Sequence, residues 1–151
     1  MLGKKAAKIY LAHPYSKRLE AKRIQTEIEK LGVQVINPFE RGEQKIYEKK
    51  LGPGGPGLSA KDCAQIVQMD LAKIDQADFV VALLLDPEYT LGTYMEIFYT
   101  GEVENKKVIA YTPVKRLAKH PWIRYYCNVT KNEEKLYDTI RSVASHSKRS
   151  K

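Results

Sequence analysis

Apolar residues in this chain fall into short dense blocks, separated by stretches in which they recur every three or four positions. The blocks are Lys8-Ile9-Tyr10-Leu11-Ala12, Val33-Gln34-Val35-Ile36, Phe79-Val80-Val81-Ala82-Leu83-Leu84-Leu85 and Lys107-Val108-Ile109-Ala110-Tyr111. Blocks this short and this apolar, with helical patterns between them, read as strands buried on both faces of a parallel sheet. Pro14 stops the first, and Asn37-Pro38 ends the second. Ala21, Ile24, Ile28 and Leu31 sit at helical spacing, which predicts a helix over about 17–31 with Ser16 as its cap and Gly32 as its stop. Ser59-Ala60-Lys61-Asp62 has the form of a capping box and opens a helix running to about Gln76. A helix through Glu96 to about Val103 follows the third block, and Cys127-Asn128-Val129 forms a short fifth strand. Thr130-Lys131-Asn132-Glu133 is a second capping box, for a last helix with Leu136, Ile140 and Val143 inward. Strands alternating with helices call for parallel pairing through right-handed crossovers. The expectation is one domain over residues 1–151: a three-layer α/β fold around a parallel sheet of about five strands.

Two segments stand outside this pattern. Glu40 to Leu58, with Gly52-Pro53-Gly54-Gly55-Pro56-Gly57, reads as one long flexible loop, and loops of this length in compact domains tend to be functional; a lid is expected. The alternation resumes after it, so it marks no domain boundary. Ser145 to Lys151 reads as a disordered basic tail.

Composition narrows the classes. The 151 residues suffice for one substantial core. No apolar stretch approaches a membrane span and nothing resembles a signal peptide, so a cytoplasmic protein with Cys63 and Cys127 as free thiols is expected. His13, His120 and His146 are too far apart for a local metal motif. Five of the eight excess positive charges lie at the two ends (Lys4, Lys5, Lys148, Arg149, Lys151), leaving three for the body. No zinc-finger or aromatic RNA-binding signature accompanies them, so nucleic acid is not the expected partner. A mild positive field does suit small anions such as nucleotides.

Two acids carry the candidate chemistry. Glu96 lies one turn into a helix that follows the most apolar strand by a short turn, and ligands in parallel sheets bind at the carboxyl ends of strands. Gly92 allows close approach of the backbone, Thr93 can satisfy free amides at the helix start, and the Thr90 hydroxyl with those amides suits an anion. A Glu in a first helical turn is also simply favoured by the macrodipole. Asp70 falls on the apolar stripe of its helix, with Cys63, Ile66, Val67, Leu71 and Ile74. A carboxylate there must be paired or have a raised pKa, as a general acid requires; a structural partner for a cation is the alternative. Tyr10 ends a strand beside the central one, either orienting Glu96 or serving as a core tyrosine with a polar tip. Two carboxylates at one pocket suit cleavage of a glycosidic bond.

Ile9-Tyr10-Leu11-Ala12, Asp70-Leu71-Ala72-Lys73-Ile74 with Ala77-Asp78, and Gly92-Thr93-Tyr94-Met95-Glu96-Ile97 with Tyr99, in this order and spacing, resemble the nucleoside 2-deoxyribosyltransferase superfamily. Val108-Ile109 after a lysine pair fits as well, so the likeness runs from about Lys8 to Tyr111. The resemblance implies a flavodoxin-like, Rossmann-like fold, no metal or organic cofactor, and a homodimer or larger oligomer whose site a neighbour partly completes. It implies that Glu96 attacks C1′ of a 2′-deoxynucleoside or its 5′-monophosphate, that Tyr10 positions it, and that Asp70 protonates or holds the leaving base. A second base then takes the deoxyribosyl group. Thr90 stands where the transferases carry an Asp and the related 2′-deoxynucleoside 5′-monophosphate N-hydrolases a Ser, and a hydroxyl tolerates a phosphate where a carboxylate repels it. Hydrolysis of nucleotides is therefore the alternative, and a non-catalytic nucleotide-binding module on the same fold is the third reading. His13 and Arg18, just after the first strand, complete the expected substrate-binding set with Thr90, Gly92 and Thr93.

Overall fold

A computed structural model describes residues 5–40, 42–51, 53–86 and 90–149. Five strands, β1 (Lys8–Ala12), β2 (Gln34–Ile36), β3 (Phe79–Leu83), β4 (Val108–Tyr111) and β5 (Asn128–Thr130), form one sheet in the order β2-β1-β3-β4-β5. Every pairing is parallel, with Tyr10 opposite both Ile36 and Val80 in the register. This is the doubly wound order in which the chain leaves β1 first to one side and then to the other.

The period of two along each strand sorts its side chains between two cores. Ile9, Leu11, Val81, Leu83 and Ile109 face α1 (Arg18–Glu29) and α7 (Glu133–Arg149), meeting Ile24, Ile28, Leu136 and Ile140. Tyr10, Ala12, Val80, Ala82 and Ala110 face the other way. They meet Ile74 of α3 (Ala60–Gln76), Ile97 of α4 (Leu91–Phe98), and Leu117 and Ile123 of the short α5 (Lys115–Ala118) and α6 (Pro121–Tyr126). All five residues of β3 are buried, as a strand covered on both faces requires. The three-layer α/β expectation holds.

Several local expectations change. Glu40 to Leu58 is not one irregular loop, because Gly42–Leu51 forms a helix, α2. The glycine-rich turn after it folds back on the helix end: the Gly57 amide donates to Lys50 O at 2.8 Å, and Gly54 and Gly57 take φ near +77° and +80°. These left-handed conformations are what glycine supplies without steric cost. A Cβ on Gly55 would stand 2.5 Å from Lys50 O, so the turn lies hard against the helix backbone. Ser16 does not cap α1; Tyr15–Lys17 is a 3-10 turn and the helix follows it without a side-chain cap. Thr130 is drawn into β5, donating to Ala110 O, and Asn132 takes over as cap of α7, its Oδ1 accepting from the Lys135 amide at 2.8 Å. The tail also differs, since α7 continues through Arg149. Positions 150 and 151 lie outside the described residues. The capping box Ser59–Asp62 forms reciprocally, at 3.1 and 3.0 Å.

Candidate active site

The chain crosses from one side of β1 to the other between β1 and β3, and at such switch points a crevice opens beyond the carboxyl ends of the strands. Tyr10 is fully buried in β1 on the face turned to α3 and α4. Asp70 reaches in from α3 and Glu96 from α4, so three residues far apart in sequence converge. The Tyr10 hydroxyl lies close enough to the Glu96 carboxyl group to favour its ionised form, and Glu96 Oε2 is buried without a hydrogen bond from any described residue. Burial and the facing Asp70 push the Glu96 pKa from 4.5 up to about 8, against the pull of Tyr10 and of Lys73. Removing water disfavours the carboxylate, and a like charge nearby disfavours it further.

The start of α4 supplies the rest of the crevice. Thr90 is its N-cap, with φ −129° and ψ 66°, yet its hydroxyl makes no capping bond, and Oγ1 is buried without a partner among the described residues. Gly92 faces the carboxylate directly: a Cβ there would lie 4.0 Å from Glu96 Oε1. Its exposed backbone leaves the approach to Glu96 open, and the first amides of a helix point at whatever enters. Thr93 is turned into the interior at 2% exposure rather than into the opening.

His13 and Arg18 belong to a different group. His13 is buried, its Nε2 and Nδ1 each 3.1 Å from a carbonyl oxygen, Asn37 Oδ1 and Pro14 O, and burial lowers its pKa. Asn37 in turn accepts from the Phe39 amide and donates to Gln25, so the ring is a strut between the ends of β1 and β2. Arg18 lies over the Tyr15 ring at 4.2 Å and donates to Tyr15 O. Tyr15 stacks on Tyr47 of α2, which also meets Phe39 edge-on. These contacts anchor α2 beside the crevice and engage both expected ligands within the protein. Lys73, which the sequence reading passed over, sits one turn beyond Asp70, donates to Pro38 O at 3.1 Å and lies close enough to Glu96 to favour its ionised form. Its signal was present in the three-residue step from Asp70 on one helix.

The Asp70 stripe is also less buried than its periodicity suggests. Ile66 and Ile74 are in the core, but Cys63 is exposed and Val67 is 54% exposed. Across α4, α5 and α6 a second apolar depression of about 400 Å³ lies between Tyr94, Met95, Phe98, Leu117, Trp122 and Tyr126. No helix among the described residues is long and apolar enough to cross a membrane.

Comparison with known proteins agrees with the geometry. A 2-deoxyribosyltransferase from Bacillus psychrosaccharolyticus superposes with a TM-score of 0.67 at 19% identity, covering 89% of this chain and 96% of its own. A conserved protein from Enterococcus faecalis V583 gives 0.67 at 17% identity, over 91% and 99%. The CMP N-glycosidase BcmB of Clostridium botulinum gives 0.53 at 19%, over 88% and 96%. At these identities the structures share the fold. No curated protein matches the sequence at a significant level. The family model for nucleoside 2-deoxyribosyltransferase, however, matches residues 9–140, a span that includes Tyr10, Asp70 and Glu96. The chain belongs to the nucleoside 2-deoxyribosyltransferase family.

Proposed function

We propose that the protein cleaves the N-glycosidic bond of 2′-deoxynucleosides or their 5′-monophosphates and passes the deoxyribosyl group to another base. The observation that carries this reading is Glu96, half-buried at the crevice with Tyr10 and Asp70 close enough to shift its ionisation in opposite directions. With one proton shared by the pair, the productive arrangement is Glu96 ionised and Asp70 neutral. Glu96 then attacks C1′, the C1′–N bond breaks with its electron pair passing to the base, and Asp70 delivers the proton to that base. In the second half an incoming base attacks C1′, the ester bond to Glu96 breaks, and the proton lost by the acceptor returns to Asp70. Gly92 gives the sugar room beside the carboxylate, and Thr93 supports the helix start from inside. His13 and Arg18 hold the ends of β1 and β2 that border the sugar, acting through the aromatic cluster.

A second reading has water as the acceptor and a 5′-monophosphate as the substrate. The buried Thr90 hydroxyl favours it, because that group lacks a partner among the described residues and stands at a helix start where a phosphate is welcome. The kinship of fold with a CMP N-glycosidase is in keeping with it.

The test is chromatographic. The protein is incubated with deoxyadenosine, deoxycytidine, dAMP, dCMP and dGMP, each with and without a second free base. A new deoxynucleoside that appears only with the acceptor establishes transfer, and free base with sugar phosphate from the monophosphates alone establishes hydrolysis. Tight nucleotide binding without turnover, unchanged in Glu96→Gln, would leave a binding module instead.

A further inference from the structure

Between Asn105 and Asn132 the chain carries seven lysines and arginines and no acid. The fold gathers three of them. Lys119 follows α5, Arg124 lies on α6 and Lys131 follows the edge strand β5. All three are exposed and line one open depression of about 420 Å³, floored by Ala118 and Cys127 and edged by Asn128. No carboxylate lines it. Several cations elsewhere are compensated: Lys17 by Asp86, Arg23 by Glu133, Lys50 by Asp62, Arg141 by Asp138. Among the described residues, neither Lys119, Arg124 nor Lys131 pairs with an acid. Burial pushes the Cys127 thiol up to about 12, so the floor stays neutral.

Like charges around one concavity repel each other, and its walls concentrate the field they produce. A monovalent anion compensates one of them. A chain of phosphates compensates all three at once, and the depression has the size of a small-molecule pocket rather than of a single ion site. Arg124 brings a planar fork suited to two phosphate oxygens, the lysines bring compact charges, and the Asn128 amide brings a neutral donor. We infer that this depression binds a short phosphate chain, either free tripolyphosphate or the triphosphate of a nucleotide. Tyr10, Asp70, Thr90 and Glu96 are absent from its lining, so it is separate from the crevice and does not rest on the reaction proposed there.

The full chain is titrated by calorimetry with sodium tripolyphosphate and with metal-free ATP, using sodium sulfate at matched ionic strength as reference. Saturable 1:1 binding of tripolyphosphate is expected, absent with sulfate. Lys119→Gln, Arg124→Gln and Lys131→Gln each weaken it about tenfold, the scale of one charge-assisted hydrogen bond, and Thr90→Val leaves it unchanged. Equal affinity for ATP identifies the phosphate chain as the recognised group, and tighter ATP binding that is still lost in the three variants identifies a nucleotide. The inference is overturned by binding no stronger than sulfate's, or by full affinity in the triple variant with its circular dichroism intact. Loss on Thr90→Val, which puts the anion in the crevice, also overturns it, as does a single-stranded oligonucleotide that binds more tightly than either probe.

Discussion

In the proposed reaction Glu96 attacks as a carboxylate, yet burial and Asp70 push its pKa to about 8, so near neutral pH the free protein holds it mostly neutral. Turnover also needs the one proton that the pair holds below pH 8 and that Asp70 must deliver, so kcat/KM across a pH series is expected to stay level up to about pH 8 and to fall about tenfold per pH unit above it. Lys73→Met removes a charge that favours the ionised form, which should move the fall to higher pH, while Lys73→Arg restores it. An unchanged profile in Lys73→Met would remove Lys73 from the electrostatics of the site. The same proton bears on stability. From pH 4.5 to about 8 the folded chain holds a proton that the unfolded chain has released. The stabilisation is complete below pH 4.5 and falls by about 1.4 kcal/mol per pH unit as the pH rises toward 8. Glu96→Gln mimics the neutral form at every pH. It is expected to abolish turnover yet unfold at higher denaturant than the parent above pH 8, with the gap closing toward pH 5; a constant gap would contradict the raised pKa.

Local elements carry their own tests. Gly101 lies in the π-helical turn Tyr99–Val103 that continues α4, where alanine would normally gain about 0.5–1 kcal/mol. A Cβ there would stand 2.7 Å from Tyr126 Cδ1, and that ring is held by its hydroxyl on Glu102. Overpacking costs about 1–3 kcal/mol, so Gly101→Ala is expected to destabilise in urea melts; a stabilised variant would mean that α6 yields freely. Ser59→Ala removes a formed capping box and costs about 1 kcal/mol by the same measure. The Ser59 box was legible because it is a four-residue pattern, complete in itself. The Thr130 box misled for a long-range reason: β4 claimed the threonine, and Asn132 was left to cap the helix. Gly42–Leu51 was read as loop because it has little amphipathic pattern of its own. What holds it is Tyr47 between Tyr15 and Phe39, a contact between residues remote in sequence.

At the scale of the whole molecule, one sheet serves two cores, and Tyr10, Asp70, Thr90 and Glu96 all lie outside the α1–α7 core. Ile140, fully buried there, is expected to cost roughly 2–5 kcal/mol when cut to alanine, measured by chemical unfolding, with catalysis by the folded fraction unchanged. A loss of activity without loss of stability would show that the two faces are coupled. The amino-acid sequence by itself determined the number of strands, their parallel pairing and the oddness of Glu96 and Asp70, because periodicity, strand length and a carboxylate on an apolar stripe are properties of neighbours along the chain. Tertiary structure alone decided the rest. It set the strand order that opens the crevice between β1 and β3, turned His13 and Arg18 into an aromatic strut, brought in Lys73, and gathered three uncompensated cations at the sheet edge. Each of these depends on contacts between segments tens of residues apart, as with Arg23 and Glu133, 110 positions from one another. Only burial and mutual approach in three dimensions determine which charges find partners and which are left facing a ligand.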